Sequence, residues 1–144
     1  MRWFNKNNHD KEELTISERI IQKTMAKQKI RLDIRAKSFV RLEKLKENLE
    51  QVIQEFELKY VITVTISNNE ELNVINTSTS PPKKMLSISS TSNGYFRFSD
   101  STFSYSDKFL NAVISRFSDE ILPLIEEAQK DKLLSDVIQQ LDQE

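Results

Sequence analysis

The chain has 144 residues, a formal net charge of -1, 38% hydrophobic and 30% charged residues, and a mean hydropathy of -0.53. This length suits one domain, and no stretch approaches the roughly 20 consecutive apolar residues of a transmembrane helix. The composition therefore favours a soluble globular domain. We expect a cytoplasmic location, because residues 1–10 lack the apolar run of a secretory signal.

Residues that carry common chemistries are scarce in this sequence. Without cysteine there is no disulfide, thiolate metal site or cysteine nucleophile. Gly94 is the only glycine, so neither a P-loop nor a dinucleotide-binding fingerprint can be written. His9 is the only histidine and lies in a polar run, which leaves serine-histidine catalysis without its base. We therefore expect a non-catalytic protein with no metal and no cofactor.

The first predicted elements are a polar terminus and a basic helix. Residues 1–14 are predicted to be a flexible polar segment, and residues 15–144 a single α+β domain. Thr15 and Glu18 have the spacing of a capping box, so a basic helix is expected over residues 15–28. Its apolar residues recur at helical spacing and form a narrow stripe.

The spacing of apolar residues changes within residues 29–58, from every second residue to helical spacing. Residues 30–35 alternate between apolar and charged, which favours a short strand with Arg31 and Arg35 on its wet face. Ser38 is then a candidate N-cap for a helix whose apolar seam ends at Phe56. The alternative is one continuous helix, because no glycine or proline interrupts the segment.

Residues 60–99 have the pattern of an antiparallel meander. The run 60–67 is rich in β-branched residues, and Asn68 and Asn69 predict a turn into a second strand. A further hairpin is expected around Asn93 and Gly94, which are favoured in tight turns. The predicted fold is a four- or five-stranded meander sheet covered by helices, with amphipathic helices at both termini.

Residues 106–142 are predicted to form the C-terminal helices. Apolar residues recur every four positions up to Ile121, giving a face that covers the sheet. Pro123 is expected to kink or restart the helix. A last amphipathic stripe is expected to mediate self-association and comprises Leu133, Leu134, Val137, Ile138 and Leu141.

Charge is distributed unevenly along the chain. Residues 19–46 contain ten Lys or Arg and two acidic residues, a net charge of +8, whereas residues 107–144 carry a net charge of -5. Clustered cations displace the counterions that condense on phosphates, so the basic segment, residues 27–46, is our candidate surface for DNA or RNA. The predicted contacts are Lys27, Lys29, Arg31, Arg35, Lys37, Arg41 and Lys44.

Three other interpretations of the basic segment remain open at this stage. In the first interpretation it is only a solvated helix face, as runs of charge commonly are. It pairs with the acidic C-terminal helices of the same or another chain, which makes the protein an assembly or scaffold subunit. It lies on anionic lipid with Trp3 and Phe4 inserted, which is the least favoured of the three because its apolar side is thin.

Overall fold

The computed structural model describes residues 13–143, apart from the side chains of residues 131–133. The expected α+β class and antiparallel meander are confirmed, with five strands in the order β1-β2-β3-β4-β5. Most of the predicted polar terminus, with Trp3, Phe4 and His9, lies outside the described residues. The elements in chain order are α1 (Ile16–Glu55), β1 (Ile62–Ser67), β2 (Glu71–Asn76), β3 (Lys83–Ser90), β4 (Phe96–Phe98), β5 (Ser101–Phe103) and α2 (Asp107–Asp142).

The first helix, α1, is continuous over 40 residues, so the favoured strand over residues 30–35 is wrong and the single-helix alternative is correct. Thr15 caps the helix as predicted, with its hydroxyl accepting a hydrogen bond from the Glu18 backbone N–H at 3.1 Å. Ser38 is not a cap but a buried residue inside the helix. No glycine or proline interrupts residues 16–55, and the alternation over residues 30–35 is too short to outweigh this continuous helical propensity.

The end of α1 is fixed by its own backbone. The N–H of Leu58 donates to the carbonyl of Ile53 and that of Glu57 to Gln54, with Glu57 in the left-handed region at φ 57°. This is the Schellman arrangement, which satisfies the last carbonyls of a helix. Leu58 is buried, so the stop also attaches the helix to the core before β1 begins.

The sheet buries one face against the helices. Ile62 and Val64 of β1 alternate with exposed threonines, and Phe96 and Phe98 of β4 enclose an exposed Arg97. Gly94 has a φ of 84° in the turn before β4, where the sequence predicted a residue with positive φ. On the other face Thr63, Thr65 and Arg97 are exposed, Ser87 and Ser89 are half-buried, and Asn73 is buried.

The second helix, α2, also runs further than expected. It spans Asp107–Asp142 with Pro123 inside it, so the predicted restart and separate terminal helix are not observed. Phe109, Val113, Phe117 and Ile121 are buried against the sheet, as their four-residue spacing predicted. Neither α1 nor α2, nor any other part of the described chain, is a helix long and apolar enough to cross a membrane.

Both helices cross the sheet in the same direction. Arg35 lies beside Glu70 in the turn before β2, whereas α1 ends next to the start of β1. The ring of Phe109 stacks on Phe96, near the end of β3, and Arg116 further along α2 donates to the carbonyl of Met85, near its start. The beginning of α1 therefore extends past one end of the strands, and the end of α2 extends past the opposite end.

Candidate nucleic-acid interface

Because α1 is one continuous helix, the predicted cations lie on several of its sides and not on the wet face of a strand. Lys27, Arg31 and Arg35 are spaced by four residues and share one side of the helix. That side continues the line of the buried residues Ser38 and Leu42, so the face that binds the sheet becomes basic beyond the sheet edge. The other predicted cations project from different sides and are exposed, except for the half-buried Arg41.

Arg31 and Arg35 line a shallow polar depression of about 160 Å³ at the sheet edge. The opposite wall comes from the end of β3 and the turn that follows it, with three hydroxyl-bearing residues: Ser90, Thr91 and Ser92. Glu70 contributes a carboxylate that lies 3.4 Å from the Arg35 guanidinium. Guanidinium groups beside hydroxyl donors are suited to binding phosphate oxygens.

Arg41 is engaged within the protein. Its guanidinium carbon lies 4.5 Å from the centroid of the Tyr105 ring, a cation-π contact between α1 and the segment that leads into α2. Among the residues predicted to bind nucleic acid, Arg41 is therefore the one with a structural role in joining the helices. Lys29, Lys37 and Lys44 do not line the depression and are exposed on other sides of α1.

The acidic C-terminal helix does not neutralise the basic segment in this chain. Within the described residues, the one ion pair made by the seven predicted cations joins Arg35 to Glu70. The basic beginning of α1 and the acidic end of α2 lie beyond opposite ends of the strands. Pairing of the basic segment with the acidic end of the same chain, one of the open interpretations, is thus not what the structure adopts.

Each helix has an end that the sheet leaves uncovered. We call residues 16–33 the α1 arm and residues 126–142 the α2 arm. Ile16 of the α1 arm is 75% exposed and Leu141 of the α2 arm is 61% exposed. The predicted self-association residues Leu134, Val137, Ile138 and Leu141 all lie in the α2 arm and are exposed, while the side chain of Leu133 is outside the described residues.

An apolar groove of about 560 Å³ lies between α1 and α2. It was not predicted, because seam residues at helical spacing do not reveal how far apart two helices will lie. Its walls include Leu45, Val52 and Phe56 from α1 and Ile114, Phe117 and Leu122 from α2. The groove carries no charged side chain, so it is chemically distinct from the basic depression.

Comparisons of the chain with protein families, with curated proteins and with solved structures found no match. The case for a function therefore depends on the surfaces described above.

Proposed function

We propose that the protein is a non-catalytic binding protein that engages the phosphate backbone of nucleic acid through its basic segment. The observation that carries the proposal is the depression at the sheet edge, where Arg31 and Arg35 face the hydroxyls of Ser90, Thr91 and Ser92. Two guanidinium groups on successive helical turns are spaced to contact phosphate oxygens together with the hydroxyls of Thr91 and Ser92, while the Ser90 hydroxyl donates to the backbone carbonyl of Glu70 at 3.3 Å. Lys27 extends the same basic side of α1.

The surrounding charge supports this assignment. Lys29, Lys37 and Lys44 are exposed on other sides of α1 and add to the positive charge of the basic segment, which attracts polyanions over a distance of about 10 Å at ordinary ionic strength. The α2 arm, which is acidic, extends beyond the opposite edge of the sheet. A polyanion approaching the depression therefore meets positive potential without repulsion from that arm. The proposal includes a cytoplasmic location, which suits a chain without cysteine.

The test is fluorescence anisotropy at low salt with labelled random-sequence DNA, double- and single-stranded, and with an RNA strand. The variant is Arg31→Glu with Arg35→Glu, and the matched control is Lys59→Glu with Lys108→Glu, which changes the net charge equally at exposed sites elsewhere. We expect the variant to bind about tenfold or more weaker than wild type, and the control within about twofold of it. Absence of wild-type binding, or an equal loss in both variants, would exclude the proposed site.

A second candidate function is that of an assembly subunit that acts through protein contacts. The observation that favours it is the exposure of aliphatic side chains on both arms, among them Ile16, Ile20, Leu134 and Leu141. Such side chains on a helix face are commonly covered by a partner. Sedimentation velocity over a concentration series tests whether the purified protein associates.

A further inference from the structure

We infer that a second copy of this chain covers the arms, with the α1 arm of one copy packed along the α2 arm of the other. The inference rests on the second candidate function and names its partner. It goes beyond nucleic-acid binding, because the contact runs along the arms, which share only Arg31 with the lining of the depression.

The arms have apolar residues that the chain's own core does not use. In the α1 arm, Ile16, Ile20 and Ile30 point to one side of the helix and are each more than half exposed. In the α2 arm, Leu134, Val137, Ile138 and Leu141 form a stripe at steps of three, one and three residues, and all are exposed. Burial of such stripes is the main favourable term when helices associate.

The two arms of one chain cannot cover each other. The α1 arm leaves the sheet where Arg35 contacts Glu70, at the edge that carries the turns before β2 and β4. The α2 arm leaves the sheet past the start of β3, beyond the contact between Arg116 and Met85. The length of the sheet lies between them, so a contact between these arms requires two molecules.

Charge and length match the α1 arm to the α2 arm. The α1 arm has five Lys or Arg and two acidic residues, a net charge of +3, while the α2 arm has the reverse composition and a net charge of -3. At the helical rise of about 1.5 Å per residue, each arm is about 25 Å long. Opposite charges steer the pairing and disfavour contacts between two α1 arms or two α2 arms.

This charge pattern also selects a second copy over other partners. A nucleic acid or an anionic membrane would be repelled by the acidic α2 arm. A partner for that arm needs a basic helix with an aliphatic side, which is what the α1 arm presents. A two-fold dimer makes this contact twice, with the α1 arm of each copy on the α2 arm of the other, whereas one contact per pair of copies leads to a ring or an open chain.

Charge-swap variants test the inference by sedimentation velocity. Arg19→Glu with Lys23→Glu reverses charge in the α1 arm at residues outside the predicted nucleic-acid contacts, and Glu126→Lys with Glu127→Lys reverses it in the α2 arm. We expect the wild type to associate, each variant alone to associate about tenfold or more weakly, and an equimolar mixture of the two variants to recover association. At concentrations where the wild type is monomeric, both variants should keep its midpoint in urea, since the arms lie outside the core.

A separate apolar variant, Leu134→Ser with Ile138→Ser, should also weaken association about tenfold or more. The control is Val40→Ser, which removes an exposed aliphatic side chain of α1 outside the arm. Association that none of the arm variants changes would overturn the inference while keeping the assembly function. A wild-type protein that stays monomeric at all concentrations would overturn both, and anisotropy measured at protein concentrations below association tests the nucleic-acid proposal separately.

Discussion

The carboxylate of Glu70, in the turn between β1 and β2, lies 3.4 Å from the guanidinium of Arg35 in α1. Both side chains are about half exposed, so the pair contributes little to folding. At the proposed site the pair would matter for binding, because the Glu70 carboxylate contacts a guanidinium nitrogen that a phosphate would also use. Glu70 is thus a built-in competitor at the proposed site.

Replacing Glu70 with glutamine should strengthen nucleic-acid binding. The substitution removes one negative charge and frees Arg35, and exposed ion pairs of this kind correspond to about a 1.5- to 5-fold change in affinity. Anisotropy titration at low salt measures the effect. Glu120→Gln is the matched control, because it makes the same charge change at the Arg116 pair on α2. Equal strengthening by both substitutions would indicate a general charge effect and contradict a competing role for Glu70.

The N-cap of α1 should control the α1 arm alone. Thr15 accepts the Glu18 N–H and its hydroxyl lies 3.1 Å from a Glu18 carboxylate oxygen, while residues 22–33 are all exposed. Thr15→Ala should therefore raise hydrogen exchange in the first turns of α1, with a local cost of about 1 kcal/mol. The urea midpoint of the protein should not move. A fall in that midpoint would mean that the arm is coupled to the core.

The core should depend strongly on the part of α1 that faces the sheet. Leu42 is fully buried, whereas Val40, two residues earlier, is 61% exposed. Leu42→Ala should lower the free energy of unfolding by about 2 to 5 kcal/mol, because it leaves a cavity as well as losing apolar burial. Val40→Ala should change it by less than about 0.5 kcal/mol. Urea denaturation of both variants checks this contrast, and similar losses would mean that α1 is oriented differently on the sheet.

The pKa of Glu71 should produce a small acid-side loss of stability. Hydrogen bonds from Lys84 and Ser87 to its carboxylate hold the pKa of Glu71 below the usual glutamate range. A lowered pKa in the folded state stabilises the protein above the ordinary pKa, and that contribution is lost as the pH falls through the folded-state value. The stability difference between wild type and Glu71→Gln should therefore shrink between about pH 6 and pH 3. A difference that stays constant over this range would contradict the assignment.

Local pattern predicted the strands and the buried faces well. The β-branched run 60–67 became β1, and the four-residue spacing from Phe109 to Ile121 gave the sheet-facing side of α2. Phe96 and Phe98 are buried and Tyr95 is exposed, in agreement with the period of a half-buried strand. In these segments the propensity, the period and the turn residues all favoured the same structure.

The errors arose where a short pattern competed with its surroundings. The alternation over residues 30–35 suggested that Ile30 and Leu32 face a core, yet both are exposed on a continuous helix. A strand there needs a neighbouring strand to pair its backbone N–H and C=O groups, whereas a helix pairs these groups within itself. Ser38 and Pro123 were read as boundaries, but each lies inside a helix.

The candidate site was predictable only in part. The clustering of charge and the alternation over residues 30–35 made Arg31 and Arg35 candidates, but placed them on a strand. Glu70 and the hydroxyls of Ser90, Thr91 and Ser92 are distant from these arginines in sequence, and only the packing of α1 on the sheet brings them together. No local periodicity contains that information.

The most direct test of the central claim is the salt dependence of binding to double-stranded DNA. If Arg31 and Arg35 each contact a phosphate, the plot of log affinity against log salt should be shallower by about 2 for the Arg31→Glu, Arg35→Glu variant than for wild type. The Lys59→Glu, Lys108→Glu control should keep the wild-type slope. Equal slopes for the wild type and the arginine variant would contradict the account, because they would mean that neither arginine displaces counterions from nucleic acid.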